Sequence, residues 1–144
     1  MSTINYIGCF LDKSVVGEYA EQQNSERLHR VIEHPHVTFE YKPKVIPYEL
    51  FGLVVTVRVI GYGCDGENEA FKVEFENLPK ELVPLAQLIE IPHITISVSE
   101  NGEAVNSRNL NFIPIQPVCL QGVFGGKDCD GFVHTDRFLI ENEE

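Results

Sequence analysis

The stretch Pro35-His36-Val37-Thr38-Phe39 is written a second time, in the other half of the chain, as Pro92-His93-Ile94-Thr95-Ile96. On a β-strand, residues two apart project from the same face. Each copy therefore aims an imidazole and a hydroxyl together, while Val37, Phe39, Ile94 and Ile96 enter the opposite face. Two such strands side by side make a cleft with two histidines, a setting for paired acid-base chemistry.

The surroundings of the two stretches repeat as well. An apolar run at 4–11 reads as a strand, 14–32 carries a helical pattern at Val15, Tyr19, Leu28, Val31 and Ile32, and the first motif strand follows at 36–41. In the second half, Phe71, Val73 and Phe75 alternate along a strand at 70–76. Leu82, Leu85, Ala86 and Ile89 share one face of a helix at 79–89, weakened by Pro84, and the second motif strand occupies 93–98. Each unit then runs through a proline-containing connection into a further strand, 53–60 in one and 118–124 in the other. Both end at the same turn wording, Cys64-Asp65-Gly66 and Cys129-Asp130-Gly131. A last strand is expected at 132–140. The sum is an α+β fold of one domain, residues 1–144, built from duplicated β-α-β-β units at about 4–66 and 70–140. The two lobes face each other about a pseudo-twofold axis, with antiparallel sheets around a central cleft, and the segments 42–51 and 100–116 rim it as loops.

A neutral imidazole takes a proton from an attacking water or hydroxyl, and an imidazolium gives one to a departing alkoxide. His36 and His93 are the candidate catalytic pair, and nothing in the sequence says which is acid and which base. Thr38 and Thr95 are placed to donate hydrogen bonds to the non-bridging oxygens of a phosphodiester, where charge redistributes in the transition state. No metal and no cofactor is called for. A single His-x-Thr on a strand is ordinarily structural. Two copies in matching surroundings, in a chain of five histidines, point to function instead, because two buried imidazoles without partners are costly.

In these motifs, His36-Val37-Thr38-Phe39 and His93-Ile94-Thr95-Ile96, and in the organisation of the whole chain, the sequence resembles the two-histidine phosphoesterases. That superfamily includes the LigT-like RNA cyclic phosphodiesterases and the phosphodiesterase domain of tRNA ligases. The resemblance implies a bilobed fold with His36 and His93 as acid and base and Thr38 and Thr95 as phosphate ligands. It implies, too, hydrolysis of a 2',3'-cyclic phosphate at an RNA end or in a small nucleotide. The stretch Ser97-Val98-Ser99-Glu100-Asn101-Gly102, with Asn106-Ser107 and Asn109-Leu110 beyond, is similar to the RNA-repair branch. Compact phage members of the superfamily cleave cyclic oligonucleotide immune signals, which the short length also suits. Another class of function is a protein that keeps the cleft and only sequesters a nucleotide.

Composition narrows the partners. With 22 acidic against 11 basic residues, the formal charge of −11 opposes wrapping of a long nucleic acid through many phosphate contacts. A nucleotide or an RNA end is the expected ligand; the oligomeric state is open. Cys9, Cys64, Cys119 and Cys129 form no CxxC pair, and free thiols are expected. No apolar run reaches membrane-spanning length and the N-terminus shows no leader pattern, so a cytoplasmic protein is expected.

Among the basic residues Lys42, Lys44, Arg58, Arg108 and Lys127, Lys127 in Gly125-Gly126-Lys127 is a candidate auxiliary cation in a loop, although a solvated turn lysine is the plainer account. Tyr62 and Phe124, in comparable places beside the two glycine turns, are candidates for stacking on a nucleobase. His34, before Pro35, falls in an entry turn. His134-Thr135 lacks the intervening residue, so its side chains diverge; both histidines are expected to be structural.

Overall fold

The computed structural model of the chain describes residues 3–136. Its elements in order are β1 (Ile4–Phe10), α1 (Lys13–Gln23), β2 (Arg30–Val31), β3 (His36–Tyr41), β4 (Val54–Cys64), β5 (Asn68–Glu76), α2 (Val83–Ala86), β6 (His93–Val98), β7 (Ile113–Asp128) and β8 (Val133–His134). The strands form one eight-stranded sheet in the order β2-β6-β5-β4-β7-β1-β3, with β8 added on β7. Every pairing in it is antiparallel. The fold is thus a mixed α/β one, dominated by this sheet and poor in helix.

Alternation places the core. Along β4, Val55, Val57 and Val59 are fully buried while Thr56 and Arg58 face outward, the period-2 signature of a strand with one covered face. The same face of the other strands supplies Ile7, Cys9, Val37, Phe71, Ile94 and Phe124, covered by Val16 and Ala20 of α1 and by Leu82. Although β3 ends the strand order and β6 lies second from its other end, so that the two share no hydrogen-bonded ladder, they come into direct contact. The sheet therefore bends back on itself, and its concave side holds the outward-facing positions of both strands.

In both β1 and β5 the ladder to the neighbouring motif strand slips by one residue. Gly8 pairs with Thr38 and Ile7 with Glu40, leaving out Phe39; Ala70 pairs with Thr95 and Glu69 with Ser97, leaving out Ile96. Such bulges re-aim side chains and sharpen twist. The first one needs glycine, because a Cβ on Gly8 would lie 2.3 Å from the carbonyl oxygen of Val37. Gly8→Ala is expected to cost about 1–3 kcal/mol of stability by overpacking against backbone. An equilibrium denaturant titration checks this, and an unshifted midpoint would contradict it.

Several expected boundaries move. The helix expected over 14–32 ends at Gln23: Asp12 caps its start by accepting from the amides of Ser14 and Val15, and Asn24 leaves helical geometry with an extended backbone. The apolar residues beyond it are claimed by the sheet edge. Leu28 N–H donates to Ser97 Oγ, Ile32 N–H donates to the carbonyl of Ile96, and Arg30–Val31 pair with β6. The helix expected over 79–89 is a 3-10 turn at Lys80–Leu82 followed by the single turn of α2, with Pro84 in its first turn, where a missing N–H costs nothing. Strands expected at 53–60 and 118–124 extend to Val54–Cys64 and Ile113–Asp128 because they pair with each other along much of their length. The strand expected at 132–140 is the two-residue β8, and residues 137–140 lie outside the described residues. Both Cys-Asp-Gly segments are turns, with Gly66 and Gly131 at φ of +87° and +94°. The four cysteines are free thiols. Among the described residues no helix is long and apolar enough to cross a membrane.

Candidate functional site

His36 opens β3 and His93 opens β6, with Thr38 and Thr95 two positions on. All four side chains line one cavity of about 290 Å³, between the two strands that the bent sheet brings together. Alternation explains why. Val37 and Ile94 are fully buried in the core, so their strand neighbours must take the concave face.

The repeated proline has a structural consequence. His36 Nδ1 lies 2.8 Å from the carbonyl oxygen of His34, and His93 Nδ1 lies 2.9 Å from that of Ile91. In each case the acceptor belongs to the residue before the proline. A carbonyl oxygen only accepts, so each ring carries its hydrogen on Nδ1 and leaves the Nε2 lone pair for the cleft. The two imidazoles are thus held in the same tautomer by the same local device.

Their environments differ. Tyr6 stacks on His36 with ring centroids 4.6 Å apart, Phe10 lies 5.5 Å away, and Tyr6 Oη is 3.4 Å from His36 Nδ1. Burial among these rings pushes His36 down to about 4, helped by the charges of Lys127, His93 and His34 and opposed by the His34 carbonyl. His93 is likewise held below the ordinary histidine range, first by burial and then by the charge of Arg108. Burial, with the nearby Tyr41, raises the Tyr6 phenol well above its usual range and keeps it neutral.

Of the basic residues considered from sequence, Arg108 is the one that lines the cavity. It sits in a 3-10 stretch, Ala104–Asn109, that forms one wall; the segment 100–116 thus contributes both this wall and the start of β7. The segment 42–51 supplies no lining residue. Lys127 lies within β7 rather than in a loop, in register with Tyr6 of β1. Its charge reaches His36, although it does not line the cavity.

Tyr62 and Phe124 do occupy comparable places, opposite Phe71 and Cys9. Neither faces the cleft. Phe124 is fully buried, edge-on against Phe39 and Phe51, and Tyr62 packs on Phe71 and donates its hydroxyl to the buried Glu69. Strand alternation sends Phe124 to the core face, and the register shift between Val59 and Gly61 turns Tyr62 toward the core as well. The cavity instead takes Tyr41 and Leu88 at its mouth, 53% and 65% exposed. By alternation Tyr41 is out of phase with His36 and Thr38, and the register slip that leaves out Phe39 lies between them; neither Tyr41 nor Leu88 was singled out by the sequence. His34 contributes its carbonyl only, and His134 Nε2 sits 2.8 Å from Asp128 Oδ2 beside the second glycine turn.

Compared with known proteins, the chain matches no family model and no curated sequence. The chemistry has to be read from the cavity itself.

Proposed function

We propose that the chain is a phosphodiesterase of the two-histidine kind, opening a 2',3'-cyclic phosphate on a small nucleotide or an RNA end. The observation that carries this is the convergence of His36, Thr38, His93 and Thr95 on one cavity from strands far apart in the strand order. In the reaction one imidazole Nε2 takes a proton from the attacking water and the other gives a proton to the ribose oxygen as its bond to phosphorus breaks. His36, the more strongly desolvated, is the base, and His93 is the acid. Thr38 and Thr95 donate to the non-bridging oxygens, and Arg108 balances their charge.

The same duplicated organisation, two β-α-β-β units about a pseudo-twofold axis, belongs to this proposal. Two features support it: the runs β3-β1-β7 and β6-β5-β4 hold equivalent places in the strand order, and the one-residue slips fall beside Thr38 and Thr95 alike. Arg108, the one lining cation among the described residues, and an apolar mouth suit one phosphodiester joined to one base, with Tyr41 as the stacking platform. A protein of this kind would act in the cytoplasm.

Incubation with nucleoside 2',3'-cyclic phosphates is expected to give the ring-opened monophosphate, at a rate indifferent to added EDTA. Chromatography of the products decides the matter. Release of intact ligand after denaturation would identify a sequestering protein. Turnover of cyclic dinucleotides or trinucleotides with no action on the mononucleotide would move the substrate to cyclic oligonucleotide signals.

A further inference from the structure

Behind Thr95 lies a buried polar chain that links β5 and β6 to the segment Ala104–Asn109. Asn68, Ser107 and Thr95 are 2%, 0% and 7% exposed. Asn68 Nδ2 donates to the carbonyl oxygen of Glu103 at 2.8 Å and to Ser107 Oγ at 3.0 Å. The Glu103 carbonyl can only accept, which settles the orientation of the Asn68 amide and makes Ser107 Oγ an acceptor from it. Ser107 Oγ is in turn 2.9 Å from Thr95 Oγ1, and Thr95 Oγ1 is 3.3 Å from the carbonyl oxygen of Ala104.

Two hydroxyls in contact can bond in either direction. Here one direction is favoured. If Thr95 donated to Ser107, the Ser107 hydrogen would be left without an acceptor among the described residues, in a fully buried place, at a cost of about 1–3 kcal/mol. If Ser107 donates to Thr95, every hydrogen in the chain is used, and the Thr95 hydrogen is left facing its long contact with Ala104. A phosphate oxygen, being charged, is the stronger acceptor and takes that hydrogen when it enters the cavity. Among the described residues no such chain backs Thr38.

We propose that Asn68 and Ser107 are positioning residues, forming a directional chain, Asn68 to Ser107 to Thr95, that presets the Thr95 hydroxyl as a donor to the substrate phosphate. The inference rests on the phosphodiesterase reading of the cavity. Because Asn68 holds both Glu103 and Ser107, it also fixes the wall that carries Arg108, so a plain structural role has to be separated from the directional one.

The test is a double-mutant cycle with Ser107→Ala and Thr95→Val on 2',3'-cyclic nucleotide hydrolysis. Ser107→Ala is expected to lower kcat about tenfold to a hundredfold, with KM little changed, and to have no further effect in a Thr95→Val background. An undiminished kcat in Ser107→Ala, or an equal loss with and without Thr95, would overturn the directional role. Full activity of Thr95→Val would instead remove Thr95 from the reaction, and the broader assignment would fail first. Should Ser107→Ala not fold, Ser107→Cys keeps the volume with a weak donor, and the same non-additivity is expected of it.

Discussion

His36→Ala and His93→Ala are each expected to lower kcat on a 2',3'-cyclic nucleotide by about 10²–10⁴-fold, the range that positioned proton transfer contributes. Neither change should unfold the protein. Each ring is held by one hydrogen bond to a backbone carbonyl, with Tyr6 and Phe10 packed on His36, and the core residues Val37 and Ile94 stay in place beside them. Thermal melts run alongside the assays check this. The two variants should then part on a phosphodiester with a p-nitrophenolate leaving group, which departs without a proton. If His93 is the acid, His93→Ala recovers most of its activity there and His36→Ala does not. The reverse pattern would exchange the two roles, and wild-type turnover in either variant on the cyclic substrate would remove that histidine from the chemistry.

Acidity is the second lever, and its direction follows from the burial of both rings. Free enzyme with one imidazole neutral and the other protonated is populated best between their two pKa values. One of these is about 4 and the other lies below the ordinary histidine range. The maximum of kcat/KM is therefore expected below about pH 6.5, with a fall approaching tenfold per pH unit on the alkaline side. A bound phosphodiester anion favours imidazolium, so the kcat profile should be displaced to higher pH than that of kcat/KM. An optimum of kcat/KM at pH 8 would sink this account.

Stability should move the other way. The folded state resists protonating His36, so between about pH 6.5 and 4 the unfolded chain binds more protons. Folding is then weakened by up to about 3 kcal/mol at the acid end of that window and is unaffected by this group above it. Denaturant titrations across the window, with and without His36→Asn, measure it.

Much of the cavity could be read from two five-residue strings. Period-2 alternation told which residues share a face, and the identity of Val37, Phe39, Ile94 and Ile96 told which face is core. The Pro-His pairing was visible too, although its effect, a backbone carbonyl set against Nδ1, needs coordinates. What alternation cannot supply is which face of a distant strand bends toward the motifs. For that reason Tyr62 and Phe124 looked available while they were being used inside, and Tyr41, three residues beyond Thr38, was the aromatic at the mouth. Local periodicity also carried the first helix past Asn24, since Leu28, Val31 and Ile32 fit a helical face as well as they fit a sheet edge. The long-range pairing with β6 decided between the two. Arg108 was one of five unranked cations in sequence and is singled out only by the wall that carries it.

The pairing of β4 with β7 at the centre of the sheet has a mechanical consequence. Each joins its own half of the sequence to the opening strand of the other, β4 running beside β5 and β7 beside β1. The distance between the histidines is therefore spanned by successive antiparallel backbone ladders of one sheet rather than by a hinge. A ligand entering such a frame meets a gap already set to width. A chain cut in the turn at Gly66 would yield two fragments, each missing a strand that only the other can lend.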